Sequence, residues 1–277
     1  MICIEITSGL GNQIFQFAFI YVTSLKLRTE YYLDFSRAKK GDLLHKYFQN
    51  ALIDKRHVST SIASPYPSLR FFKQTGKDNP STVSGMLTDD TMYTGYFQSP
   101  AYFATFENDI RTSIRLKNKH RRRFERQYGY LKNLKTLVVH VRRTDYQTYG
   151  RDELGGKNMC LPDEYFFNCL DQVNNLGEFV LIFVGDDIQY ARHTFSSRFP
   201  DALFNENHEI IDFQLLLNAD MLIISNSTFA WWGAYLNDKK EKVFSPEHWL
   251  GFKIGNEYPC SILPDDWIRM KTAKPAP

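Results

Sequence analysis

The chain has 277 residues, 43% hydrophobic and 23% charged, an ordinary globular composition with length for about two domains. A net charge of +3 makes no demand for a nucleic-acid partner. Cys3, Cys160, Cys169 and Cys260 lack C-x-x-C or metal spacing, and no apolar run approaches ~18 residues, so the composition predicts reduced thiols, a cytoplasmic protein and no transmembrane helix.

Met1 leads at once into a β-branched run, Ile2–Thr7, with no basic n-region, so no signal peptide is expected. Ser8-Gly9-Leu10-Gly11 reads as a tight turn. Asn12–Leu27 follows as a helix that is apolar on several sides. Strand, glycine turn and helix make a Rossmann-like opening, and Tyr31–Phe35 is the next strand. Residues 36–100, broken by Pro65, Pro67, Pro80 and Pro100, read as helices and loops of an irregular subdomain. Ala101–Leu116 reads as one helix, with Tyr102, Phe106, Ile110 and Ile114 every four residues. Lys117-Asn118-Lys119-His120-Arg121-Arg122-Arg123, then Arg126, is a basic run with two readings, a solvated helix end or linker and a patch for an anionic membrane surface. The domain boundary is expected here, giving domains 1–125 and 126–277.

The second half alternates regularly. Strands are expected at 136–141, 179–184, 220–224 and 242–245, and helices at 163–176, 188–197, 210–218 and 229–236. Such alternation implies right-handed βαβ units and a parallel sheet, hence an α/β fold. The tail 271–277 is polar and expected to fray.

Three of these strands end in polar clusters, which a parallel sheet places along one edge. His140-Val141-Arg142-Arg143-Thr144-Asp145 is the first. Ligands of open α/β sheets bind at carboxyl strand ends, and a guanidinium fork matches two phosphate oxygens. A solvated strand end with a salt bridge from Arg142 or Arg143 to Asp145 is the plain alternative. Gly185-Asp186-Asp187 is the second; adjacent carboxylates point to opposite faces of an extended chain and suit a base edge or ribose better than a metal. Ser225-Asn226-Ser227-Thr228 is the third, either a simple N-cap for the next helix or a phosphate site at its start. Trp231 and Trp232 read as core packing rather than sugar platforms. The Gly9–Gln13 turn matches G-x-G-x-x-G only in part, because Ile14 replaces the third glycine, so a nicotinamide cofactor is not expected. The turn still allows close backbone approach, with Asn12 and Gln13 as amide donors. There is no G-x-x-x-x-G-K-[ST] loop, H-E-x-x-H, G-x-S-x-G or D-x-D.

Four blocks together resemble the bacterial α-1,2-fucosyltransferases of glycosyltransferase family 11. They are Gly9-Leu10-Gly11-Asn12-Gln13, then Gly95-Tyr96-Phe97-Gln98-Ser99 with Tyr102-Phe103, then His140–Asp145, then Ser225–Ala234. They span residues 9 to 234; the third and fourth blocks are the specific ones. The resemblance implies a GT-B-like fold, two Rossmann-like domains facing across a cleft, with an acceptor-side domain first and a GDP-fucose-binding domain second. It implies GDP-β-L-fucose as donor, a galactose-terminated oligosaccharide or lipid-linked glycan as acceptor, inversion at the anomeric carbon, and neither metal nor cofactor. It puts Arg142 on the β-phosphate with His140 and Asp145 beside it, and the Ser225–Thr228 turn on the phosphates. It puts Asp186 or Asp187 on guanine or ribose, and gives Gly11, Asn12 and Gln13 a part in ligand binding. Asp145, Asp152, Glu153 and His140 are the candidate general bases, with Asp145 the choice; its other reading is the partner that holds Arg142. Transfer with another linkage, or a non-catalytic nucleotide- or glycan-binding module, are the other readings. A bacterial enzyme of surface-glycan assembly, peripheral at the inner membrane through residues 117–126, fits this picture.

Overall fold

The structure, a computed structural model, describes residues 1–49, 58–59 and 69–272. Pro65, Pro67 and the tail from 273 lie outside the described residues. The chain forms two compact units, Met1–Lys117 with Tyr258–Ile262, and Asn118–Glu257 with Leu263–Pro277. The boundary expected at 125/126 falls inside a helix, Asn118–Tyr128, that belongs whole to the second unit. Its charge masks a helical repeat: Phe124 and Tyr128, four residues apart, stack at 5.8 Å on one face.

The first unit is a parallel sheet covered by helices. Its strands are β1 (Ile2–Glu5), β2 (Tyr31–Asp34), β3 (Val58–Ser59), β4 (Arg70–Lys73) and β5 (Thr91–Thr94), in the order β3-β2-β1-β5-β4. The central β1 is short and β-branched, and Ile2, Cys3 and Ile4 are all buried, as a strand covered on both faces requires. α1 (Leu10–Leu27) follows directly and is buried from Leu10 to Ser24 apart from Asn12. Its aromatic side chains enter the core, where Phe19 stacks on Phe97 with ring centroids 3.6 Å apart. Two expectations need correction. The 36–100 region supplies three parallel strands, which at two to four residues are too short to show a period of two. Ala101–Leu116 is not one helix but 3₁₀ turns at Pro100–Tyr102 and Ala104–Phe106, a helix at Glu107–Ser113 and a strand at Arg115–Leu116. The backbone leaves the helical region at Phe103 (φ −131°, ψ 5°) and again at Phe106 (φ −126°, ψ 30°), which breaks the run into separate turns.

The second unit holds β6 (Thr136–Val141), β7 (Val180–Gly185), β8 (Leu203–Phe204), β9 (Met221–Ile224), β10 (Lys242–Pro246) and β11 (Ile268–Met270). The sheet is parallel throughout, in the order β8-β7-β6-β9-β10-β11. Numbered within the unit this is 3-2-1-4-5-6, the doubly wound order, and the winding reverses between β6 and β9. Six consecutive buried residues make β6 a fully covered strand. Asp220 fixes its start: the carboxylate accepts Thr136 N–H at 2.7 Å and Lys239 Nζ at 3.0 Å. The helices include α2 (Asn118–Tyr128), α3 (Asp163–Asp171), α4 (Ile188–Phe195), α5 (Glu209–Asn218) and α6 (Thr228–Tyr235). Gly233 lets α6 lie on α5, since a Cβ there would come within 2.6 Å of Leu216 Cβ. Trp231 and Trp232 are fully buried, so both indoles pack in the core.

Candidate active site

The winding order decides where the polar strand ends fall. β7, β6 and β9 are neighbours, with Gly185 in register with Val141 and Ile224 in register with His140. All three clusters therefore start at one level of the sheet, outside the carboxyl ends flanking the switch point, where doubly wound sheets bind ligands.

Apolar β6 carries His140 into the interior, where its Nδ1 shares a 2.7 Å hydrogen bond with Ser225 Oγ. Ser225 N–H also donates to His140 O at 3.2 Å, tying the two strand ends together. Burial pushes the His140 imidazole down to about 4; Asp186 opposes this and Arg142 adds to it. His140 is therefore neutral at physiological pH and serves as a hydrogen-bonding strut, not a cation.

Past the strand the chain leaves the sheet and the two arginines part. Arg142 Nη1 lies 3.0 Å from Asp186, and its Nη2 donates to Asp145 at 2.6 Å. Arg143 instead lies flat on Tyr190, its guanidinium carbon 3.4 Å from the ring centroid, and Tyr190 OH donates to Asp163. The charge run thus resolves into one arginine facing carboxylates at the strand ends and one packed on an aromatic ring.

Asp186 organises the loop. It accepts Arg143 N–H at 2.8 Å and the Thr144 hydroxyl, besides pairing with Arg142. Burial alone would raise its pKa, but Arg142 and these two donors hold it below the usual carboxylate range. Asp187 points elsewhere and caps α4, accepting Tyr190 N–H at 3.0 Å. The two carboxylates assigned together to a base or ribose thus have different local work. Asp145 is the exposed partner, with 61% of its side chain open, so its pairing with Arg142 is of the kind that contributes little and yields readily.

The third cluster closes this edge. Asn226, almost wholly buried, donates to Met159 O at 3.0 Å, and its carbonyl Oδ1 has no hydrogen-bond partner. Tyr146 OH donates to Asn226 O at 3.0 Å, linking the arginine loop to the β9–α6 turn. Ser227 stands at the N-cap of α6, but its side chain makes no cap bond. Simple capping therefore does not account for Ser227, and the first-turn N–H groups of α6 are left for another acceptor.

Gly11, Asn12 and Gln13 lie in the first unit, apart in sequence and unit from this cluster. Gln13 corrects an expectation: its amide donates to Ser8 O and Gly41 O, and its Oε1 accepts Leu43 N–H. It is fully buried and staples two loops, as a buried amide must satisfy its donors. Asn12 Oδ1 accepts Gln98 Nε2 at 2.7 Å, joining the first and second sequence blocks. Gly11 is buried within α1.

One residue escaped the sequence reading. Asp212, buried on α5, accepts Asn207 Nδ2 at 3.0 Å and a hydrogen bond from the Gly185 backbone, at the end of β7. Its only sequence signal is a carboxylate inside an apolar stretch, Ile210-Ile211-Asp212-Phe213. Burial pushes its pKa up to about 7 from 3.8, against those two bonds. Between these values the folded chain holds a proton that the unfolded chain has lost, so this group subtracts stability as pH rises from about 4 to about 7. Asp212→Asn is expected to raise the thermal midpoint at about pH 8, by at most ~4 kcal/mol of stability, and to leave it unchanged below about pH 4. Calorimetry at the two pH values checks this; an equal effect at both contradicts it.

The sequence profile of the family described as Glycosyl transferase family 11 matches residues 1–251. The chain belongs to glycosyl transferase family 11. This family member is 25% identical to an alpha-1,2-colitosyltransferase of Escherichia coli over 96% of its own length and 98% of that protein's. It is 33% identical to the O-antigen biosynthesis glycosyltransferase WbnK of Escherichia coli, over 50% of this chain and 45% of WbnK. Among solved structures it resembles the fucosyltransferase NodZ from Bradyrhizobium, with a TM-score of 0.56 and 14% identity over 87% of this chain and 94% of NodZ. NodZ alpha-1,6-fucosyltransferase soaked with GDP-fucose aligns with a TM-score of 0.53 and 14% identity over 84% and 92% of the two chains. The fold is α/β of the GT-B type, and the family member is a glycosyltransferase. Among the described residues no helix is long and apolar enough to cross a membrane.

Proposed function

We propose that this glycosyltransferase moves L-fucose from GDP-β-L-fucose to the 2-hydroxyl of a terminal galactose, with inversion and without a metal. The observation that carries the reading is Arg142 at the switch point, within the same strand-end cluster as the side-chain-uncapped start of α6. Breaking the bond from the sugar to phosphate returns an electron pair to the nucleotide, and fixed donors must accept that charge. Arg142 supplies a two-pronged cation and α6 supplies N–H groups and the positive end of its dipole. The incoming diphosphate displaces the exposed Asp145 from Arg142, while Asp186 keeps the guanidinium in place. In this scheme Asp145 is the arginine's partner, and His140 with Ser225 sets the level of the two loops.

The relative named as an alpha-1,2-colitosyltransferase favours a second donor, since L-colitose is L-fucose without its 3-hydroxyl. The two readings share linkage and site and differ in one donor hydroxyl. A nucleotide-release assay with GDP-fucose or GDP-colitose, with and without a galactoside, separates them. GDP release is expected only with galactoside, faster with GDP-fucose, and unaffected by a chelator. Faster use of GDP-colitose selects the second donor, and no galactoside-dependent release contradicts transfer.

A further inference from the structure

We infer that α2, with the turn that follows it, is a docking surface for an anionic lipid bilayer. Lys119, Arg122, Arg123 and Arg126 are spaced i, i+3, i+4 and i+7, which sets them on one face of α2, and all four are exposed. Arg121 adds a fifth exposed cation, and Glu125 is the helix's single carboxylate. None of the five cations forms an ion pair among the described residues. The other face packs inward: Tyr128 is buried, Phe124 stacks on it, and Gln214 of α5 donates to His120 O. Like charges three and four residues apart repel along a helix, so this stripe weakens α2 unless something anionic covers it.

The chemistry beside the stripe selects a membrane over a nucleic acid. Tyr130 and Leu134, in the turn after α2, are 60% and 44% exposed. A ring with a hydroxyl and an aliphatic side chain next to cations suit the headgroup region, where apolar groups enter the acyl boundary and bases meet anionic lipid. A polyphosphate backbone would use the cations and leave both apolar side chains in water. Among the described residues no helix can span a bilayer, so the contact is with its surface.

The test is sedimentation of the full chain with phosphatidylcholine vesicles, with and without phosphatidylglycerol. Binding is expected only with phosphatidylglycerol, and to weaken as salt screens the charges. Each basic residue near such a surface contributes roughly fivefold, so replacing Arg122, Arg123 and Arg126 by Gln together should weaken partitioning about 100-fold. Tyr130→Ala with Leu134→Ala should also weaken it. Both sets should release GDP from soluble substrates at the unmodified rate, which shows that the fold is retained. Equal binding to neutral vesicles, partitioning unchanged in the triple variant, or displacement from vesicles by duplex DNA would overturn the inference. So would an absence of vesicle binding. The vesicle readouts do not depend on the identity of the transferred sugar; only the GDP-release control rests on the proposed donor.

Discussion

Arg142→Ala is expected to lower turnover by about 10²–10³-fold, the usual cost of removing one donor that stabilises developing charge. The structure gives the reason. Arg142 is the guanidinium that faces the strand-end carboxylates, 3.0 Å from Asp186, whereas Arg143 is stacked on Tyr190. Thermal stability should change little. The Asp145 pair is exposed and contributes little, and Asp186 keeps its bonds from Arg143 N–H and Thr144. Arg142→Lys keeps the charge but loses the fork, so it should recover only part of the activity. Steady-state kinetics and calorimetry on the three proteins check this. Near-normal turnover in Arg142→Ala would remove the leaving-group clamp from the account.

The second large effect belongs to Asp186. Asp186→Ala strips the acceptor from three donors at once, Arg142, Arg143 N–H and the Thr144 hydroxyl. Hydrogen bonds to charged groups are worth ~1.5–3 kcal/mol each at best, and this loop is half open, so a total loss of about 2–3 kcal/mol is expected. Turnover should fall at least ~100-fold as well, because Arg142 is no longer held in its reacting position. Asp187→Ala is the control. It loses a helix cap worth about 1 kcal/mol and should keep most activity. Measured kcat, KM and thermal midpoints separate the two neighbours. Equal losses at Asp186 and Asp187, or a KM effect alone at Asp186, would contradict a positioning role.

The second unit was easier to read from the sequence than the first. Its central strands are covered on both faces, so β6 and β7 stand out as continuous apolar runs and their ends as polar punctuation. A common edge for the three polar clusters follows from parallel strands alone. Direct neighbourhood of β7, β6 and β9 follows only from the winding order, which is set by long-range packing. The first unit hides its sheet in strands of two to four residues, where edge strands such as β4 expose most side chains and lose the apolar pattern.

Side-chain roles were less legible than positions. Gln13 looks like a ligand donor in sequence, yet burial makes it a staple. Asp212 looks like a solvated helical position, and only burial in α5 beside the end of β7 lifts its carboxyl well above the usual carboxylate range, to about 7. Asp186 and Asp187 are alike in type and adjacent, but Asp187 sits at the first turn of α4 and is drawn into capping it. Such differences depend on what surrounds the residue in space, which no local pattern encodes.

Product analysis tests the central proposal most directly. The protein would be incubated with GDP-β-L-fucose and a β-galactoside, and the purified product examined by NMR for the anomeric coupling of the new sugar and the position glycosylated on galactose. The account predicts an α-L-fucosyl residue on the galactose 2-oxygen, made equally well with a chelator present. A product linked through another galactose oxygen, a retained β-anomer or an absolute metal requirement would contradict it.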